Sequence, residues 1–150
     1  MVARVLAVNI VGVTNTLVPF VPAMVAARRG TLAAVSSIAG FRPLPGRVAY
    51  STSKAAVTHF MEGLRQDLHG TGVHAMAICP GYVRTPMTEG MKSMPFAVDV
   101  DEAARRIDHA LARRGRLFTF PWQMSILRRI LELAPEPTMR RLAPPPRRRP

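Results

Sequence analysis

Hydrophobic and polar positions along the chain first show a long run without rhythm. From Val5 to Ala27 there are 23 consecutive residues without a charge, flanked by Arg4 and by Arg28-Arg29. That length can cross a bilayer. Asn9, Gly12, Thr14, Asn15, Thr16, Pro19 and Pro22 interrupt the run, and no compact apolar segment remains for a signal peptide. The pattern predicts a buried helix of a soluble α/β protein, ended by Gly30. Thr31–Ser36 is an apolar run of buried-strand length. After a loop with Pro43, Pro45 and Gly46, Val57, Phe60, Met61, Leu64 and Leu68 recur every three or four residues, predicting a helix from about Val48 to His69. Gly70 and Gly72 end it, and Val73–Ile78 reads as a second strand closed by Pro80-Gly81.

Residues 86–98 read as a mobile loop with Pro86, Gly90, Pro95 and the methionines Met87, Met91 and Met94. Asp99 three before Glu102 resembles a capping box, opening a helix through Arg114 that Gly115 stops. Leu117–Phe120 is a third short strand. Met124, Ile126, Leu127, Ile130 and Leu131 mark a last helix over about 123–133. Strands alternating with helices predict an α/β fold with parallel strands. A sheet of about three strands is thin for that class and leaves an apolar edge. The chain reads as the second half of a larger unit. The predicted domain spans 1–134, followed by an exposed Pro/Arg-rich tail over 135–150.

Composition narrows the classes. The single Cys excludes an internal disulfide framework and a Cys-rich zinc site. His59, His69, His74 and His109 lack close ligand spacing, so no metal site is predicted. Cys79 reads as a small buried hydrophobe, and Trp122 as a packing residue of the last helix. The formal net charge of +12 raises nucleic acid or an anionic surface as partner. Residues 101–150 carry 12 basic and 5 acidic side chains, residues 1–100 only 9 and 4. With 6% aromatic residues and no recognised module, specific nucleic-acid binding is not predicted. Arg128-Arg129 and Arg140-Arg141, interleaved with Leu127, Ile130, Leu131 and Leu142, form either a basic amphipathic surface for membrane or partner, or a solvated face. The solvated face is the reading adopted.

The chemically informative string is Tyr50-Ser51-Thr52-Ser53-Lys54 at the start of the middle helix. Tyr50 and Lys54, four apart, share one helix face. A phenol titrates near about 10, and a neighbouring ammonium favours the phenolate. Such a pair can transfer protons near neutral pH, although solvated helix faces carry the same spacing. Ser37 ends the preceding strand, at the carboxyl edge where open α/β sheets bind ligands.

Val35-Ser36-Ser37-Ile38-Ala39-Gly40, then Tyr50-x-x-x-Lys54, then Pro80-Gly81-Tyr82-Val83-Arg84-Thr85, together with Asn9 in Leu6-Ala7-Val8-Asn9-Ile10-Val11-Gly12, resemble the short-chain dehydrogenase/reductase family over about Val5–Phe120. The resemblance implies a partial doubly wound, Rossmann-like sheet and hydride transfer between NAD or NADP and a hydroxyl or carbonyl group. It implies Tyr50 as general acid/base, and Lys54 as the residue that lowers the Tyr50 pKa and binds the nicotinamide ribose. Ser37 would bind the substrate oxygen. Asn9 would hold a proton-relaying water from a disturbed turn of the first helix. Pro80, Gly81, Val83 and Thr85 would line the nicotinamide, and Met87–Val98 would form the variable substrate lid. Ser36 is not chosen, because it lies fourteen rather than thirteen residues before Tyr50. The methionines suggest an apolar substrate. Family members often pair through helices matching those near Met1 and Val48, so a homo-oligomer is expected, with the cytoplasm as compartment.

Family members begin with a strand, a glycine-rich phosphate loop and further βα units that the chain lacks. Gly70-Thr71-Gly72-Val73-His74-Ala75 fits G-x-G-x-x-A, but it follows a helix and precedes a strand, the reverse of the required order. Without the loop the adenine half of the cofactor has no site, and stand-alone activity is doubtful. A start placed too late in a longer frame, a truncated relic and a chain completed by a partner all fit; the late start is the reading adopted. The rival class is a non-catalytic interaction or membrane-surface protein using the apolar first helix and basic C-terminal region.

Overall fold

The computed structural model describes residues 1–43, 46–91, 93–133, 135 and 137. The expected tail lies outside the described residues, Pro135 and Pro137 apart. Among the described residues four helices and three strands carry the fold. Helix α1 is Val2–Ala26, strand β1 Gly30–Val35 and helix α2 Val48–Asp67. Strand β2 is Val73–Pro80, α3 Val100–Arg113, β3 Leu117–Phe120 and α4 Trp122–Leu133. The strands are all parallel in the order β1-β2-β3.

Period-two alternation divides the sheet between two cores. On one face Leu32, Ala34, Ala75, Ala77 and Cys79 pack with Val57 and Met61 of α2, and Val13, Leu17, Val21 and Met24 of α1 lean on them. On the other, Ile78 and Phe120 meet Ala103, Ile107 and Leu111 of α3. Burying a side chain such as Val57 or Met61 contributes about 1.5–3 kcal/mol. Beyond β1 no described strand pairs, and Val35 at its end is 51% exposed.

Helix α1 departs from expectation. It is helical throughout, and it is long and apolar enough to cross a membrane. Yet none of its residues is fully buried. One side rests on the sheet and α2, and Val8, Val11, Val18 and Phe20 face outward. The expected burial fails because no described element covers that side. The helix is also irregular. Ala7–Val11 forms a π turn, closed by the Gly12 N–H donating to the Ala7 carbonyl five residues back, and Val18–Phe20 is a 3₁₀ turn beside Pro19.

Some termini differ from the sequence reading. Asp99 caps nothing with its side chain; its carboxylate accepts from Arg84 Nη1 at 2.9 Å. Arg114, not Gly115, takes the left-handed conformation that ends α3, at φ 52°. Strand β2 runs two residues past Ile78 because Cys79 and Pro80 pair with Thr119 and Phe120. Gly72, at φ +87°, turns the chain from α2 into β2 where a Cβ would collide with the Arg28 carbonyl. That close approach accounts for Gly72 of the G-x-G-x-x-A lookalike, whereas Gly70 has open space around it and answers only to its positive φ of 77°.

Candidate active site

The site forms where β1 and β2 end. Ser36 and Ser37 leave β1, and the Ser36 N–H donates to the Ile78 carbonyl at 2.7 Å. Ser37 is buried and extended, and its Oγ accepts from the Ala39 N–H at 3.2 Å, capping the 3₁₀ turn Ile38–Gly40. Gly40 lets that turn press on α2. A Cβ there would stand 2.8 Å from the Lys54 carbonyl carbon and 2.9 Å from the Ala55 nitrogen. Both are backbone atoms and cannot yield, so glycine sets the distance between the serine turn and the Tyr50–Lys54 turn.

Tyr50 and Lys54 share one face of α2, with Lys54 Nζ 5.7 Å from the Tyr50 ring centre. Lys54 Nζ donates to the Val35 carbonyl at 2.9 Å. Burial lowers the Lys54 pKa from the ordinary lysine value, opposed by the charge of Cys79. The ammonium keeps two further donors.

Asn9 sits in the π turn of α1, and its Nδ2 donates to Ser53 Oγ at 3.0 Å. Ser53 is fully buried and donates to the Tyr50 carbonyl at 2.8 Å. A chain of two hydrogen bonds thus ties α1 to the first turn of α2. Sequence reasoning missed Ser53; lying within the Tyr50–Lys54 string, it carried no signal separating it from Ser51. Ser36 is occupied: its Oγ donates to the Lys54 carbonyl at 2.7 Å and lies 2.7 Å from Thr58 Oγ1.

Asn9, Ser37, Tyr50, Lys54, Pro80 and Gly81 all line one cavity of about 530 Å³. Met1, Val5, Val8, Val35 and Met87 supply its apolar wall, and Arg4 adds a charge to that of Lys54. Val83 and Thr85 are not among its lining residues. Val83 packs with Ile78 and Phe120, while Thr85 and Thr88 exchange hydrogen bonds in a capping box. The loop beyond is pinned at its base, where the Val98 N–H donates to the Tyr82 carbonyl at 3.0 Å and the Arg84 N–H to the Val98 carbonyl at 2.9 Å. Among the described residues no group of three His, Cys, Asp or Glu side chains could hold a metal.

A parallel α/β sheet whose strand ends gather serine, tyrosine and lysine around one cavity has the ligand-binding arrangement of open α/β sheets. The family model "short chain dehydrogenase" matches residues 1–95, and the chain belongs to that family. An uncharacterised oxidoreductase of Myxococcus xanthus is 41% identical over 130 residues, 86% of this chain and 51% of that protein. The 2-(R)-hydroxypropyl-CoM dehydrogenase of Xanthobacter autotrophicus is 35% identical over 92 residues, 61% of this chain and 37% of that protein. A short chain dehydrogenase from Burkholderia cenocepacia, solved in complex with NADP, superposes with a TM-score of 0.80 at 26% identity. That superposition covers 91% of this chain and 58% of that one. The chain therefore spans about half the length of the relatives it matches.

Proposed function

We propose that the protein is the catalytic part of an NAD- or NADP-dependent oxidoreductase interconverting a hydroxyl and a carbonyl group, with Tyr50 as general acid/base. The convergence of Ser37, Tyr50 and Lys54 on one cavity carries the reading. The cavity's donor set fits the nicotinamide–ribose half of the cofactor: Lys54 has two donors to spare, and Tyr50 and Ser37 offer hydroxyls. The NADP bound to the Burkholderia relative supports the cofactor class. When bound, the nicotinamide supplies or accepts the hydride at the substrate carbon.

In this reading the chain's own groups handle the oxygen and its proton. Ser37 Oγ binds the substrate oxygen as negative charge develops there, which is worth most where water is excluded. Tyr50 gives its proton to that oxygen in reduction and takes it back in oxidation. The Lys54 ammonium, 5.7 Å from the Tyr50 ring centre, would hold the ribose hydroxyls in place. Asn9, anchored on Ser53, holds the water through which Lys54 exchanges protons with solvent. Pro80 and Gly81, which line the cavity, would hold the nicotinamide; Val83 and Thr85 are assigned to the same group by the family pattern alone, since neither lines the cavity. The walls of Met1, Val5, Val8, Val35 and Met87 suit an apolar hydroxyl or carbonyl compound. A homo-oligomer through the outward faces of α1 and α2, where Val11, Val18 and Val48 are exposed, and a cytoplasmic setting complete the proposal.

The test is an assay of NADH and NADPH oxidation with a panel of apolar ketones, using the chain together with the sequence encoded contiguously upstream. Tyr50→Phe should cut kcat by about 10²–10⁴ with unchanged circular dichroism. A Tyr50→Phe protein as active as the parent removes the assignment.

A further inference from the structure

Sequence reasoning gives Trp122 a packing role and sets Ser36 aside, and the structure reverses both. Trp122 is 66% exposed, whereas Ser36 is 2% exposed. Ser36 sits where β1, β2 and α2 meet. Its N–H donates to the Ile78 carbonyl at 2.7 Å and pins it to β2. Its Oγ lies 2.7 Å from both the Lys54 carbonyl and Thr58 Oγ1, and Thr58 Oγ1 lies 3.0 Å from the same carbonyl. Two hydroxyl protons therefore serve three contacts. Whichever hydroxyl donates to the other, the ring ends on the Lys54 carbonyl. Cys79, which has no accessible surface, lies against both hydroxyls. In such a dry place hydrogen bonds gain strength.

The preceding residue holds the other end of the same lysine. Lys54 Nζ donates to the Val35 carbonyl at 2.9 Å. Val35 and Ser36 are consecutive, so one short piece of chain grips Lys54 at its backbone and at its ammonium. A lysine side chain has more rotamer freedom to lose than most. The Val35 contact fixes the tip; the Ser36 contact fixes the base from which the tip reaches. Ser36 lines the cavity beside Lys54, but its hydroxyl is engaged by the Lys54 carbonyl and Thr58. We infer that Ser36, with Thr58 as its second anchor, is a positioning residue that aims the Lys54 ammonium into the cavity. The consequence for turnover rests on the proposed oxidoreductase reading, whereas the grip on Lys54 does not.

The chain has two lysines, Lys54 and Lys92, so lysine labelled with carbon-13 at its ε position gives two methylene signals, which Lys92→Arg assigns. A held side chain keeps its two ε protons at different shifts, and a free one averages them. In the 150-residue chain the Lys54 ε protons should be resolved. Ser36→Ala should merge them at unchanged circular dichroism, and Ser36→Thr, which keeps the hydroxyl, should keep them apart. If Ser36→Ala does not fold, Thr58→Val, which removes the other hydroxyl of the ring at nearly the same shape, should merge them instead. Resolved shifts in a folded Ser36→Ala protein overturn the inference even if its urea midpoint falls, since Ser36 then only stabilises. Averaged shifts in the folded parent overturn it too, because Lys54 is then not held. In the protein extended by its upstream sequence, Ser36→Ala should lower kcat about ten- to a hundredfold, and Ser36→Thr should restore it. Parental kcat in Ser36→Ala overturns the positioning role. An extended parent without turnover removes the oxidoreductase reading, and the lysine spectra then decide the grip alone.

Discussion

Cys79 stands at the end of β2 with no accessible surface, next to Ser36 and Thr58. Burial pushes its thiol up to about 11, against the hydrogen bonds of Thr58 and Ser36, which pull it down. At pH 8 about one thiol in a thousand is then ionised, and none is reachable. Ellman's reagent should find no thiol in the native protein at pH 8 and one per chain in guanidinium; rapid native labelling would mean that this core opens. The folded state holds this proton more tightly than the unfolded chain, so its contribution to stability is present below the ordinary thiol value and lost as pH rises toward 11. Lys54 works in the opposite sense. Burial lowers its pKa, so stability rises with pH as the unfolded chain, too, loses that proton. The Tyr50–Lys54 pair and Ser37 were legible in the sequence because their spacing and their place at a strand end are local facts. Ser53 was not, because its partner Asn9 lies 44 residues away and meets it only through packing.

At the scale of elements, the serine turn and the middle helix are held together by one small residue. Gly40→Ala places a methyl group 2.8 Å from the Lys54 carbonyl carbon. The cost should be about 1–3 kcal/mol, read as a lower urea midpoint at unchanged slope. Because the turn carries Ser37 and the helix carries Lys54, kcat in the extended protein should fall as well, although Gly40 does not line the cavity. A variant with parental stability and rate would show that the turn has room to move. Elements whose signal is periodic, such as α2 and the three strands, were readable along the chain. Their ends were less so, because tertiary partners set them: Arg84 takes the carboxylate that would have capped α3, and Thr119 and Phe120 extend β2. The burial of α1 was misjudged for the same reason. Its composition says apolar, but only neighbours decide which side is covered.

The whole molecule is asymmetric. Strand β2 is hydrogen-bonded on both sides, covered on one face by α2 and on the other by α3, and its residues Ala75–Cys79 are all within 2% of full burial. Strand β1 is bonded on one side alone, with a cleft of about 410 Å³ between its end and α1. Its sequence Gly-Thr-Leu-Ala-Ala-Val contains no charge to guard the edge. The net charge of +12 opposes association through repulsion, and salt removes that protection. In a parallel strand alternate amides point to opposite sides, so half of those in β1 face the open edge. Hydrogen exchange of the 150-residue chain at low salt should therefore find the β2 amides the slowest in the protein, with alternate β1 amides exchanging orders of magnitude faster. As salt is raised the fast β1 amides should become protected in step with light scattering, as edges from separate chains meet. Uniform protection of β1 in a monodisperse, low-salt sample would mean that the edge is closed within one chain, and the view of this fold as an open half-sheet would have to go.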